Sequence, residues 1–146
     1  MTDYVVREAT DADAPHIASI EALSFKSPWT QEMILSEMRE PLASFYVAVS
    51  GDTVIGYYGF LHISDELHIL NVAVHPDFRG KGVGMSMMTH LKERAASLSA
   101  RAITLEVRES NLVAKRLYER VGFVLAGTRP HYYMDKENAL IYWLEL

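Results

Sequence analysis

The sequence predicts a mixed α/β sandwich, not a doubly wound sheet. Elements read in the order β-α-α-β-β-β-α-β-α-β-β, so three strands run consecutively in mid-chain instead of alternating strictly with helices. Two of those strands flank a hairpin signal, Ser50-Gly51-Asp52-Thr53. The third runs into a glycine turn, Arg79-Gly80-Lys81-Gly82-Val83-Gly84, which opens a Met/Leu-rich helical stretch.

The first strand covers Tyr4 to Glu8. Thr10-Asp11-Ala12-Asp13 then makes a capping-box-like start, with Pro15 in the first helical turns, and the helix runs to Leu23. Pro28 and Trp29 interrupt it. Thr30 can cap a second, short helix from Gln31 to Arg39, which Pro41 ends. The hairpin strands are Phe45 to Val49 and Val54 to Leu61, and Leu67 to Val74 leads into the glycine turn. Val83, Met87, Leu91 and Ala95 recur at helical spacing through Ser97, which makes Met85, Met87 and Met88 packing residues before anything else. Ile103 to Val107 is the next strand. Ser110-Asn111 opens a helix that Gly122 closes, and Phe123 to Thr128 and Leu140 to Leu144 are the last two strands. With no linker, repeat or low-complexity tract, one domain over residues 1–146 is expected.

Composition excludes several classes. The chain is 49% hydrophobic and 23% charged, the balance of an ordinary globular protein. No apolar run approaches the roughly 18 residues that cross a membrane, and Met1-Thr2-Asp3-Tyr4 lacks the basic-then-apolar pattern of a signal peptide, so a cytoplasmic protein without a membrane partner is expected. Zero cysteines remove disulfides, zinc-thiolate sites and a cysteine-linked acyl intermediate. A net charge of −5 argues against nucleic acid as a direct partner. That acidity either attracts a cationic substrate or only keeps the protein soluble. Histidines at 16, 62, 68, 75, 90 and 131 show no tight ligand spacing, and no metal is expected.

Glycines at 80, 82 and 84 let the backbone approach a bulky anion, with the free N–H groups and positive dipole end of the next helix aimed at the same spot. Close helix-on-sheet packing is the competing explanation. The spacing fails both a Walker A loop and the Gly-x-Gly-x-x-Gly fingerprint. Glu106 is the one carboxylate inside an otherwise apolar strand, sharing a face with Thr104 while Ile103, Leu105 and Val107 take the other. Desolvated there, it can act as a general base, or it sits on a solvated face or in a salt bridge to Arg108 or Arg79. Tyr118 is either a half-buried core aromatic or a hydrogen-bond donor to a leaving thiol. Full proton transfer from a phenol near pKa 10 to the thiolate of a thiol with pKa near 8.5 would be uphill by about 2 kcal/mol.

The runs Asn71-Val72-Ala73-Val74-His75-Pro76-Asp77-Phe78-Arg79-Gly80-Lys81-Gly82-Val83-Gly84, Leu105-Glu106-Val107-Arg108-Glu109-Ser110-Asn111 and Leu117-Tyr118-Glu119-Arg120-Val121-Gly122-Phe123 resemble the motifs of the GNAT acetyltransferase family, in particular its ribosomal-protein-alanine N-acetyltransferase (RimI) branch. The resemblance implies the acyl-CoA N-acyltransferase fold, α/β (α+β), with a mixed, mostly antiparallel central sheet flanked by helices, and acetyl-CoA as co-substrate. It implies that Val72, Ala73 and Val74 pair with the pantetheine arm, and that Arg79 opens a pyrophosphate cradle made of Gly80, Lys81, Gly82, Val83, Gly84 and Met85. Asn111 would contact the coenzyme arm or serve only as a helix cap. Glu106 would be the general base acting through water, and Tyr118 the general acid.

Phe25-Lys26-Ser27-Pro28-Trp29-Thr30 resembles the branch's Phe-Pro-Trp-Ser loop with extra residues, and His131-Tyr132-Tyr133 matches its paired tyrosines. The resemblance therefore implies that Trp29, Tyr132 and Tyr133 line a groove for the N-terminal peptide of a ribosomal protein. Glu137-Asn138-Ala139 departs from the branch's Glu-Asp-Ala. An α-amine is about one-seventh neutral at pH 7, whereas a lysine needs roughly 3.5 kcal/mol more to present its lone pair, which favours an N-terminal acceptor. Acetylation of a small amine or of lysine, and a coenzyme-binding regulatory protein without turnover, remain the alternatives.

Overall fold

The computed structural model describes residues 3–146. Its strands are β1 (Val5–Glu8), β2 (Ala43–Ser50), β3 (Thr53–Ile63), β4 (Glu66–Val74), β5 (Ala102–Arg108), β6 (Val124–Arg129) and β7 (Ala139–Glu145). The helices are α1 (Ala14–Ser24), α2 (Gln31–Met38), α3 (Val83–Ser97) and α4 (Leu112–Val121). Order and type follow the sequence expectation. Two single 3-10 turns, Asp11–Asp13 and Pro76–Phe78, are additions. In the first, Asp13 accepts the Thr10 N–H at 2.8 Å and a two-pronged ion pair from Arg7, which together hold its carboxyl below the usual range.

The seven strands form one sheet in the order β1-β2-β3-β4-β5-β7-β6. Every pairing is antiparallel except β4 with β5, which is parallel. That parallel pair is short: only Glu66, Leu67 and His68 face Ala102, Ile103 and Thr104. Beyond it the two strands part. The cause is visible in the register of β3 with β4, where Phe60 faces Ile69 and Gly59 faces Asn71, leaving Leu70 as a bulged extra residue. A bulge bends its strand and raises local twist, and here it turns β4 away from β5.

Each face of the sheet has its own core. On one, Leu67, Ile69, Ile103, Leu105 and Val107 pack against Met87, Met88 and Leu91 of α3 and Tyr118 and Val121 of α4. On the other, Phe45, Val47, Tyr57 and Ala73 pack against Ala14, Ile17 and Ile20 of α1 and Ile34 of α2. Met87 and Met88 are core residues, as their spacing implied. Lys92 of α3 donates to the Val121 carbonyl at 2.9 Å, and Gly122 ends α4 with a φ of +115°. Among the described residues, no helix is long and apolar enough to cross a membrane, and no cluster of three or more His, Asp or Glu could hold a metal ion.

The loop from His131 to Asn138 is fastened to the end of β5. Arg108 donates to Asp135 at 2.9 and 3.0 Å and to Glu137 at 2.9 Å, while Glu137 also accepts the Ser110 N–H at 2.8 Å. Lys26, from the α1–α2 connection, approaches Glu137 at 3.6 Å. Hydrogen bonds from Ser110 and Arg108 pull the Glu137 carboxyl down to about 2.

Two outcomes follow from this architecture. A Cβ at Gly59 would lie 2.5 Å from Phe45 Cε2 and 2.6 Å from Cδ2, so Gly59→Ala should destabilise the protein by about 1–3 kcal/mol in urea melts. Because the Glu137 carboxyl is depressed in the folded state, its contribution to stability is present above its ordinary value of 4.5 and is lost as pH falls toward about 2. Glu137→Gln should therefore melt at a lower temperature than wild type at pH 7, with the gap closing between pH 4.5 and 2.

Candidate active site

The parting of β4 and β5 opens two adjoining cavities. A groove of ≈ 510 Å³ runs between β4, the glycine turn and α4, and a smaller cavity of ≈ 270 Å³ lies between β4 and β5. Phe25, Val72, Asn111, Ala114 and Tyr118 line both, so the two meet at that point. An extended arm laid in the groove reaches the mouth of the small cavity beside Val72 and Tyr118. After His68, the β5-facing edge of β4 has no strand partner, which leaves main-chain groups available to such an arm.

The groove is built by the glycine turn. Gly80 and Gly82 hold φ values of +77° and +82°, and a Cβ on either would meet nothing within 4 Å, so the turn is open on its outer side. Gly82 is also the N-cap of α3, whose first-turn amides at Val83, Gly84 and Met85 have no partner within the helix. The open turn, the free amides and the groove's size fit a large anionic ligand. Gly84 has an additional packing reason: its Cβ would lie 3.2 Å from Leu117 Cδ2 of α4. Val72, Ala73, Val74, Arg79, Gly80, Gly82, Val83, Gly84, Met85 and Asn111 all line this groove. Lys81 does not, and its Nζ instead lies 5.5 Å from the Phe78 ring. The Arg79 side chain donates to the Val74 carbonyl at 2.9 Å and to Ser24 Oγ at 3.1 Å, fastening the turn to β4 and α1.

The small cavity gathers Trp29, Asn71, Glu106, Arg108 and Tyr133. Glu106 lies on the face opposite Ile103, Leu105 and Val107, as strand alternation required. It is more solvated than a central strand suggests, with a third of its side chain accessible, and its carboxylate pairs with Arg129 of β6 at 3.0 Å. Neither Arg108 nor Arg79 is that partner. Arg108 is committed to Asp135 and Glu137, and its guanidinium stacks on Tyr133 at 4.1 Å. Burial pushes the Tyr133 hydroxyl up to about 12. Tyr132 packs edge-on against Tyr133 at 5.1 Å but is exposed and lines neither cavity.

Tyr118 and Asn111 stand at the junction. Tyr118 is buried, edge-on to Phe123 at 5.7 Å, and burial pushes its hydroxyl well above the ordinary phenol range. It is a donor at any physiological pH. Asn111 caps α4, its Oδ1 accepting the Ala114 N–H at 3.1 Å, while also lining both cavities. The arrangement sets a carboxylate in the small cavity and a protonated phenol at its junction with the groove, the pair of groups an acyl transfer from thioester to amine can use.

Sequence reasoning missed Glu21, Arg129 and the side chain of Asn71. Glu21 is fully buried on α1, accepting from Asn71 Nδ2 at 3.0 Å and from the Trp29 N–H at 3.4 Å. Its position seven residues after Ala14, on the face of Ile17 and Ile20, was a usable signal: a carboxylate on an apolar stripe. Arg129 gave none, because its meeting with Glu106 depends on which strands are neighbours.

The chain matches the acetyltransferase (GNAT) family over residues 11–123. It is 36% identical to a Bacillus subtilis protein provisionally named a ribosomal protein bS18-alanine N-acetyltransferase, an alignment covering 99% of this chain and 97% of that one. The Escherichia coli ribosomal protein bS18-alanine N-acetyltransferase is 30% identical over 88% of each chain. Its crystal structure superposes with a TM-score of 0.89, covering 98% of this chain and 94% of that one at 27% identity. Ard1 from Thermoplasma volcanium superposes with a TM-score of 0.93 over 98% of this chain and 97% of that one, at 32% identity. GNAT enzymes use acetyl-CoA, and the groove and its open glycine turn fit that co-substrate. The chain belongs to the GNAT acetyltransferase family and is an acetyl-CoA-dependent N-acetyltransferase of that type.

Proposed function

We propose that this enzyme acetylates the N-terminal α-amine of a protein, with an alanine-starting ribosomal protein as its acceptor, by direct transfer within a ternary complex. The observation that carries the reading is the pair of joined cavities meeting at Tyr118 and Val72, one bordered by the glycine turn and the other holding Glu106. Similarity to relatives named for alanine acetylation supports the choice of acceptor. The absence of any cysteine supports direct transfer.

In this reading Gly80, Gly82 and the first amides of α3 hold the pyrophosphate, with Arg79 bracing the turn and Lys81 adding charge at its edge. Val72, Ala73 and Val74 take the pantetheine arm along the free edge of β4, and Asn111 contacts it from α4. Acetyl-CoA supplies the activated acetyl group. Trp29 and Tyr133 line the acceptor's approach, and Tyr132 contacts the peptide outside the cavity. Glu106 takes the ammonium proton through water, and Arg129 holds its carboxylate in place. Tyr118 donates a hydrogen bond to the departing sulfur. Since burial raises its hydroxyl further, passing the proton on to the departing thiolate costs more than the roughly 2 kcal/mol of an ordinary phenol, so solvent delivers the final proton.

Incubation with acetyl-CoA and a panel of amines, read by mass spectrometry, should give acetylation of alanine-starting peptides at the α-amine well ahead of free small amines. A free amine acetylated equally well would remove the peptide groove from the reading. Glu106→Gln should lower kcat at least tenfold with acetyl-CoA affinity within about twofold of wild type, and an unchanged kcat would discard the base assignment. Gly82→Val, forcing a β-branched residue to a φ of +82°, should weaken acetyl-CoA binding at least tenfold by calorimetry and lower the thermal midpoint by a few degrees.

A further inference from the structure

Glu21 is a carboxylate in the wrong place for stability. It is fully buried on the apolar face of α1, where its carboxylate faces the buried Tyr57 hydroxyl, and apart from that contact neither its Oε2 nor the hydroxyl has a hydrogen-bond partner among the described residues. Burial raises the Glu21 carboxyl. Buried polar groups left in this state call for an explanation other than packing. What Glu21 does hold is specific: Oε1 accepts Asn71 Nδ2 at 3.0 Å from the bulged segment of β4 and the Trp29 N–H at 3.4 Å from the α1–α2 connection. Both residues line the small cavity, and neither lines the groove.

Asn71 donates its NH2 to Glu21 Oε1, which leaves its own carbonyl oxygen turned the other way. Asn71 and Glu106 lie on the two strands that part, and both side chains leave the sheet on the face away from α3 and α4. We propose that Asn71 Oδ1 accepts a hydrogen bond from the acceptor's amino nitrogen, and that Glu21 is a positioning residue that fixes the Asn71 amide in the orientation this requires. The inference rests on the small cavity being the acceptor site. Its chemistry suits an attacking amine. A second carboxylate beside the nitrogen would favour the ammonium form, which has no lone pair to attack with, whereas a neutral carbonyl orients an N–H and favours the cation far less.

The test uses the full chain, an alanine-starting peptide and acetyl-CoA. Asn71→Ala should lower kcat/KM for peptide at least tenfold while the Kd for acetyl-CoA, measured by calorimetry, stays within twofold. Glu21→Gln, whose amide can present either end to Asn71 and so releases its orientation, should lower kcat/KM about three- to tenfold. The double variant should be no worse than Asn71→Ala alone, because Glu21 acts through Asn71. A peptide kcat/KM within twofold of wild type for Asn71→Ala overturns the proposal, and multiplicative losses in the double variant overturn the role of Glu21. Should the Glu21 variant fail to melt cooperatively, the split between kcat/KM and Kd in Asn71→Ala decides. If wild type acetylates a free amine instead of peptides, the peptide reading fails separately, and the same split measured on that amine still judges Asn71. Wild type inactive toward every amine sinks both.

Discussion

The divergence of two parallel strands governs everything else in this molecule. β4 and β5 pair through three residues each and then part at the Leu70 bulge, at the centre of a sheet where strands would otherwise stay about 5 Å apart. Continued pairing would close the junction at Val72 and Tyr118 and leave no path between the groove and the small cavity. The opening also leaves main-chain groups on the free side of β4 without strand partners, a state that is costly when dry and useful when an extended ligand can satisfy them. Its walls are therefore polar on one edge and apolar on the α3–α4 side, where Leu105, Val107 and Tyr118 remain part of the core.

An opening of this kind has to be held at a fixed width, and the end of α1 contributes to both halves. Glu21 reaches Asn71 and the Trp29 N–H on the small-cavity side, while Ser24 receives Arg79 from the glycine turn on the groove side. Only Ala22 and Leu23 thus lie between the two attachments. Across the mouth, Arg108 with Asp135 and Glu137 fastens the loop carrying Tyr132 and Tyr133 to β5, and Lys26 approaches the same carboxylates from the α1–α2 connection. Exposed ion pairs contribute little singly, but this set closes a network around one guanidinium that also stacks on Tyr133. Its effect is to hold the rim.

Features set by local chemistry were legible in the sequence. The Gly51-Asp52 hairpin, the glycine turn before α3, the Gly122 C-cap, the Thr30 and Asn111 caps and the face of Glu106 all depend on a few neighbouring residues, and each is found as read. What was not legible depends on distant pairing. Strand order brings Arg129 to Glu106 across β7, and the register of β3 against β4 puts the bulge at Leu70. Neither leaves a periodic trace. Lys81 and Tyr132 mark a different boundary: the motifs containing them are recognisable, yet a motif does not say which of its side chains faces inward, and these two face out of the cavities.

The electrostatics of the opening divide along the same line as its walls. On the apolar side burial lifts the Tyr118 hydroxyl, and on the other side Glu106 remains partly solvated and paired with a cation. The proposed proton acceptor and hydrogen-bond donor thus sit in opposite environments: a carboxylate that water can reach, and a phenol that is kept neutral. Exchanging those environments would fail twice, because a carboxylate at the position of Tyr118 would bear the full desolvation cost of its charge, and a solvated phenol would donate into competition with water. The width of the strand opening and the solvation of its two walls follow from one geometric event, the bulge that bends β4, and the proposed division of proton roles rests on that event.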